Sequence, residues 1–189
     1  FFSCSKPGDL TVQQAMKAFQ QQDYKKSLEC FLQALEEESN YSDEIIYTFI
    51  ANLYSAQDDL ENAVVYQEKA VEIRPEYRAY VTLGRNYHLI ENDEKALEFY
   101  EKAIQLDSQK GEAYASLGSL YITQKKYELA LENLKKAAEF EPNIAVIHAN
   151  LAVAYGLTGQ KELAEAEFKK AEELKCENLE EFKARAYLE

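Results

Sequence analysis

The apolar positions of the chain recur in short helical phrases separated by polar segments. Three phrases align without gaps: AYVTLGRNY (79–87), AYASLGSLY (113–121) and IHANLAVAY (147–155). Gly84, Gly118 and Ala152 in these phrases are 34 residues apart, and a related phrase, IYTFIANLY, covers 46–54. Such a period, filled by two helices, is typical of stacked units that bury their apolar faces against their neighbours. The pattern predicts an all-α solenoid rather than one closed globule.

A second phrase repeats with the same period and predicts the second helix of each unit. Its five copies each end in Ala, seven residues after a small residue and thus two helical turns along one face. They are SLECFLQA (27–34), AVVYQEKA (63–70), ALEFYEKA (96–103), ALENLKKA (130–137) and AEAEFKKA (164–171). Polar turns such as ENDEK and TGQKE separate the two phrases, as helix hairpins require. Pro75 and Pro142 close second helices, because proline cannot continue a helix interior.

These phrases resemble the tetratricopeptide repeat, whose pattern places small, aromatic and proline residues at fixed positions. The unit 111–144 matches positions 4, 7, 8, 11, 20, 27 and 32 with Tyr114, Leu117, Gly118, Tyr121, Ala130, Ala137 and Pro142. Leu134 replaces the usual aromatic at position 24. The other expected units are 8–43, which is degenerate, 44–76, 77–110 and 145–178. Residues 1–7 form an N-terminal tail, and 179–189 are either a capping helix or the first helix of a sixth unit.

The resemblance implies a right-handed superhelical solenoid of stacked antiparallel helix hairpins. Small residues at positions 8, 20 and 27 are expected where two helix backbones approach closely. Aromatic residues at positions 4, 11 and 24 are expected to fill the holes opposite. His148, at position 4 of its unit, is therefore expected to be a packing residue.

Charge and composition exclude several classes of partner. The chain carries 34 acidic and 21 basic side chains, for a formal net charge of −13. Nucleic acid is excluded as a partner, because binding its backbone needs concentrated Lys and Arg. No apolar run approaches the length of a membrane span. The acidic surface is either a solvated surface or a groove for a basic peptide.

The sequence indicates no catalytic residue, metal ligand or cofactor. The strings HExxH, GxSxG and GxxxxGK are all absent. Cys4, Cys30 and Cys176 lie far apart, without the spacing of a metal site. We therefore expect that the protein is not an enzyme and needs no cofactor.

Cys4 lies outside the repeats, in the segment FFSCSK. An apolar stretch that ends in a small residue before Cys resembles the end of a bacterial lipoprotein signal, where the Cys is acylated. The alternative is an incidental Cys in a frayed terminus. A lipid anchor at Cys4 is the only membrane contact that the sequence predicts, and the localisation stays open between a bacterial envelope lipoprotein and a cytoplasmic protein.

The resemblance also implies that first helices line a concave groove. Relatives that hold acidic C-termini use a clamp of Lys and Asn; here Asn52 matches its Asn, but Thr48 and Thr82 replace its other residues. Arginine binds carboxylates through two parallel hydrogen bonds. The candidate peptide-binding residues are Asn52, Arg78, Arg85, His88 and Ser119. The alternative is that the arginines only stabilise an acidic surface.

We accordingly expect a non-catalytic scaffold that binds a peptide or helix of a protein partner. One alternative is a regulatory or recruiting segment of a larger enzyme. Another is self-association through apolar positions exposed at the open end of the last unit.

Overall fold

The computed structural model describes residues 5–187, which form helices and no strand. The all-α prediction is confirmed. The helices are α1 (Pro7–Gln20), α2 (Tyr24–Ala34), α3 (Asp43–Ala56), α4 (Leu60–Ile73), α5 (Tyr77–Leu89), α6 (Asp93–Leu106), α7 (Gly111–Thr123), α8 (Tyr127–Phe140), α9 (Ala145–Leu157), α10 (Lys161–Glu173) and α11 (Leu179–Ala186). Successive helices pair into hairpins, and α11 follows the fifth pair.

The described residues form two compact units. The N-terminal unit comprises 5–79 and 89–91 and contains α1–α4. The C-terminal unit comprises 80–88 and 92–187 and contains most of α5 together with α6–α11.

The core of the N-terminal unit is built around two stacked phenylalanines. The rings of Phe31 on α2 and Phe49 on α3 are 4.9 Å apart and nearly parallel. Phe31 is completely buried, as are Ile46 and Ile50 on α3. Because α1 packs on α2 and α2 packs on α3, these side chains join two hairpins into one apolar cluster.

A left-handed residue closes the turn inside each hairpin. The five turn residues have φ between 58° and 76°, and only the last is glycine: Gln22, Asp58, Glu91, Lys125 and Gly159. The next N–H in each turn donates to a carbonyl five residues earlier, as Lys126 does to Tyr121 at 2.9 Å. This is the arrangement of a helix C-cap, in which the left-handed residue satisfies otherwise unpaired carbonyls.

The small residues of the repeat lie where helices touch, as the sequence predicts. Ala96, Ala130 and Ala164 at position 20 are completely buried. Gly84 approaches the Tyr100 ring so closely that an added Cβ would lie 2.7 Å from it. A Cβ on Gly118 would overlap the side chain of Leu134. A larger side chain at either glycine would force the two helices of its hairpin apart.

Some aromatic residues of the repeat are less buried than the sequence predicts, whereas others, such as Tyr87, Tyr100 and Tyr155, are buried as expected. Tyr80, Tyr114 and Tyr121 are only half-buried. The Tyr80 ring packs on Phe99 and the Tyr114 ring on Phe140, and lysines lie over several of the aromatic rings. At position 26 of successive units, Lys69 lies 4.9 Å from the Tyr66 ring, Lys102 lies 4.5 Å from Phe99, and Lys136 lies 5.6 Å from Tyr114. These cation–π contacts stabilise rings that stay partly exposed.

The fifth hairpin replaces this arrangement with a buried ion pair. His148, Glu167 and Lys170 stand where the third hairpin has Tyr80, Phe99 and Lys102. Nδ1 of His148 lies 2.6 Å from Oε2 of Glu167, and Nε2 lies 2.8 Å from the Pro142 carbonyl. Both partners are acceptors, so a doubly protonated imidazolium satisfies them both. Lys170 donates to the other carboxylate oxygen at 2.8 Å. His148 is buried, as expected, but through polar contacts rather than ring packing.

Asp9 anchors the start of α1 to the loop after α2. Its carboxylate accepts hydrogen bonds from the backbone and side-chain nitrogens of Asn40, both at 2.6 Å, and from the Lys6 N–H at 2.9 Å. The Ser39 hydroxyl also donates to it, at 3.0 Å. These hydrogen bonds, the one from the Asn40 backbone first, lower the pKa of Asp9 to about 2. The ionised carboxylate therefore stabilises the folded N-terminal unit.

We expect Asp9→Asn to destabilise the N-terminal unit, and the effect to depend on pH. A carboxylate whose pKa is lowered by folding contributes its full stability above its ordinary value of 3.8 and loses it as the pH falls to about 2. The difference in unfolding free energy between wild type and variant should therefore shrink as the pH falls from about 5 to about 2. Urea titrations followed by circular dichroism measure it. If the difference in unfolding free energy stays constant with pH, the variant is destabilised by altered packing and not by loss of the carboxylate charge.

Candidate functional site

Two of the predicted binding residues lie in the N-terminal unit. Asn52 is exposed on α3, and Arg78 is exposed in the first turn of α5. Within residues 5–187, Arg78 has no carboxylate partner. Arg74 differs, since its guanidinium Nε lies 2.9 Å from Glu76.

Arg85 and Ser119 occupy position 9 of their first helices in the C-terminal unit. Arg85 is exposed on α5, and Ser119 is half-buried on α7. Arg85 pairs with no carboxylate in the part of the chain that the structure describes. Its charge does act on Tyr100: burial raises the pKa of Tyr100 to about 12, while the Ser116 hydrogen bond and the positive charge of Arg85 work in the opposite direction. Arg85 thus presents a cation that the chain itself does not neutralise.

His88 is held by the fold instead of pointing freely from its helix. Its Nδ1 lies 2.7 Å from Oδ1 of Asp93, and the other Asp93 oxygen accepts a 3.0 Å hydrogen bond from Gln124 on α7. Burial favours a higher pKa for Asp93, but the hydrogen bonds from Gln124 and His88 outweigh it and lower the pKa. The three side chains connect the turn after α5 to the end of α7, which is a structural role.

Several other residues of the first helices, which the repeat resemblance also places along the concave groove, are buried. Ile122 is 7% exposed, and Ala149 and Val153 are fully buried. Ile122 and Val153 share an apolar cluster with Ala186 of α11. Assigning the groove surface from repeat position alone is therefore wrong at the C-terminal end, because α11 packs on α9 there.

The helix α11 creates a pocket that the repeat pattern does not predict. We call it the α11 pocket; its volume is about 390 Å³, and it lies among the ends of α7 and α9, the start of α8 and α11. Its apolar side includes Ile122, Val153 and Leu157, and its polar side includes Lys125, Tyr127 and Arg185. The only sequence signal was the register of α11, whose Phe182 and Ala186 fall at positions 4 and 8.

Gly156 lets α11 approach α9. A Cβ at this position would lie 2.6 Å from the Ala186 carbonyl oxygen and 2.7 Å from the Ala186 Cβ. No larger residue fits without moving α11, so Gly156 determines where Arg185 stands.

We expect Gly156→Val to displace α11 and to cost about 1–3 kcal/mol of unfolding free energy through overpacking. Hydrogen exchange should show loss of protection concentrated in α11. Ala166→Val, on the exposed face of α10, is a control that adds a similar branched side chain. Equal effects of the two variants would mean that the contact with Ala186 is unimportant.

Other candidate features give no site in the described residues. Across 5–187, no cluster of His, Cys, Asp and Glu has the geometry to bind a metal ion. None of the helices in that range is both long and apolar enough to cross a membrane. Cys4 lies outside the described residues, and its acylation stays a prediction.

Three family models match the chain, and all of them describe the same repeat. Two models of the tetratricopeptide repeat match residues 42–109 and 145–178, and a TPR repeat model matches 118–159. Together these matches cover more than half of the sequence. A search of curated proteins found no match.

Similar solved structures support the same fold. A crystal structure of MamA protein has a TM-score of 0.76 at 22% identity, with 96% of each chain covered. MamA from Desulfovibrio magneticus RS-1, from residue 41 to its end, has a TM-score of 0.76 at 19% identity, covering 90% of this chain and 96% of that one. YrrB, described as a TPR protein with an unusual peptide-binding site, has a TM-score of 0.73 at 21% identity, covering 93% and 90%. At these sequence identities, the similarity to the solved structures is evidence for the fold alone.

Proposed function

Because this chain belongs to the tetratricopeptide-repeat family, we propose that it is a non-catalytic scaffold that binds a peptide segment of a protein partner. The segment binds on the exposed faces of the first helices. Repeat proteins keep their packing residues fixed while exposed positions of the same helices vary, so recognition can be changed without loss of the fold. The peptide-binding site attributed to YrrB is consistent with this use of the fold.

The observation that carries the proposal is Arg85. It is an exposed arginine without a carboxylate partner among residues 5–187, in a chain with 34 acidic side chains. Arg74, by contrast, is paired, since its guanidinium Nε lies 2.9 Å from Glu76. An arginine left unpaired on a first helix is free to bind an acidic group of a partner bidentately. Ser119, at the same repeat position on α7, is a further hydrogen-bonding group of the C-terminal unit.

Arg78 and Asn52 give the N-terminal unit its own candidate surface. Both are exposed, and Arg78 is unpaired within the described residues. We propose that this unit also contacts the partner. His88 is less suited to recognition, because Asp93 already occupies its Nδ1.

Selection of a random peptide display library on the wild-type protein tests this proposal. We expect the selected peptides to share acidic residues, and Arg85→Ala to weaken their binding about tenfold, as the loss of one charge-assisted hydrogen bond predicts. Arg74→Ala is a charge-matched control, since it removes an arginine that is already paired, and it should leave binding unchanged. Failure to select any peptide, or equal losses in both variants, would refute the role of Arg85.

A further inference from the structure

The α11 pocket combines an apolar side with two cations. Leu157 is half-buried, Ile122 is nearly buried, and Val153 lies fully buried beneath them. Lys125 and Arg185 line the same pocket. A side chain that enters it would meet apolar surface and positive charge together.

The two cations are positioned by the fold and are not neutralised by it. Neither Lys125 nor Arg185 pairs with a carboxylate within residues 5–187. The guanidinium of Arg185 lies 5.7 Å from the centre of the Phe182 ring, a contact that orients it. Lys125 is the left-handed residue of its turn, and its N–H donates to the Ile122 carbonyl at 3.0 Å. The fold therefore orients the guanidinium of Arg185 and holds the backbone of Lys125 beside the pocket before a ligand arrives.

The size and the charge of the pocket together restrict its ligand. At about 390 Å³, it is near the lower limit of sites that enclose small molecules, which span about 300–1,000 Å³. It can take one bulky side chain and an adjoining polar group, but not a long acyl chain. Arginine and lysine favour a carboxylate, since arginine can bind both of its oxygens. Burial of an apolar side chain against Ile122 and Leu157 adds affinity in proportion to the area removed from water.

We propose that the α11 pocket binds a bulky apolar residue that is followed by an acidic residue in a segment of a partner protein. The apolar side chain contacts Ile122 and Leu157, and the carboxylate lies between Lys125 and Arg185. This inference rests on the proposed function, because it takes the partner to be a protein. It adds a second recognition site, separate from Arg85, and specifies the side chains that this site selects.

Titration with capped dipeptides, followed by NMR of labelled protein, tests the proposal. The probes are acetyl-Leu-Asp-amide and acetyl-Leu-Asn-amide, which differ only in the charge of the second side chain. With the Asp peptide we expect saturable shifts of the Ile122, Val153 and Leu157 methyl signals and of the Arg185 Nε–H signal. The Asn peptide should bind at least several-fold more weakly. Equal binding of the two peptides, or shifts confined to other residues, would overturn the proposal.

Variants of the two cations locate the binding site. Lys125→Gln and Arg185→Gln should each reduce the affinity for the Asp peptide, while their methyl spectra show that the fold is retained. Lys161→Gln removes an exposed lysine at the start of α10, outside the pocket, and should bind as the wild type does. Unchanged affinity in both pocket variants would refute the proposed role of the cations.

Two further comparisons separate the alternatives. Acetyl-leucine carries its carboxylate at a chain end. If it binds more tightly than acetyl-Leu-Asp-amide, the pocket recognises a C-terminal carboxylate, and the proposed acidic side chain is wrong. If display peptides bind through Arg85 while the dipeptides leave the pocket signals unchanged, this inference fails and the proposed function stands. If the dipeptides bind at the pocket while no display peptide depends on Arg85, the proposed role of Arg85 fails and the assignment of the pocket stands.

Discussion

Replacing Glu167 by alanine should destabilise the C-terminal unit by about 3 kcal/mol or more, the usual cost of removing one partner from a buried ion pair. The side chains of His148 and Glu167 are only 6% and 13% exposed, so water cannot replace the lost carboxylate easily. The variant leaves Nδ1 of His148 without its acceptor, and Lys170 also loses its contact. Urea unfolding measures the change in free energy.

A double variant separates the loss of the ion pair from the loss of side-chain volume. His148→Tyr combined with Glu167→Phe reproduces the pair in the third hairpin, where the rings of Tyr80 and Phe99 are 5.9 Å apart. Lys170 would then cover the new ring as Lys102 covers Phe99. Replacing a buried ion pair by well-packed apolar groups is often neutral or stabilising, so we expect stability within about 1 kcal/mol of wild type. A single variant as stable as wild type would show that the pair contributes nothing.

Replacing Phe31 by alanine should cost about 3–5 kcal/mol in the N-terminal unit, the range for truncating a buried aromatic residue. Phe31 is fully buried and stacks on Phe49, which also contacts the Phe19 ring edge-on at 5.8 Å. The cavity would lie where α1, α2 and α3 meet, and these backbones cannot collapse into it freely.

Leu10→Ala is the control for Phe31→Ala, since Leu10 belongs to the same unit and is 59% exposed. Its effect should stay within about 0.5 kcal/mol, as for most surface substitutions. Hydrogen exchange of Phe31→Ala should show lost protection in α1–α4. Similar effects of the two substitutions would contradict the core assignment in this unit.

The repeat positions that could be predicted from the sequence are those governed by sterics within one hairpin. Ala96, Ala130 and Ala164 must be small because two backbones meet at each of them, and that constraint repeats visibly every 34 residues. The burial of the position-4 tyrosines could not be inferred in this way, since it depends on whether a lysine or another helix covers the ring.

The candidate site was harder to predict because its contacts join residues far apart in the chain. His88 is an open groove residue by repeat position, but Gln124, 31 residues beyond Asp93, completes the network that holds it. The α11 pocket depends on the contact between Gly156 and Ala186, for which the register of α11 is the one sequence signal. The network around His88 leaves no pattern in the sequence, whereas the exposure of Arg85 follows directly from its place on the helix.

The turn inside each hairpin bears on how such a chain can change its length. Gln22, Asp58, Glu91, Lys125 and Gly159 differ in chemistry but share one backbone conformation. The hydrogen bond that closes each turn uses main-chain groups alone, so it makes no demand on which side chain stands there. A segment that runs from one such turn to the next can therefore be added or removed at a junction whose backbone geometry is the same in every unit.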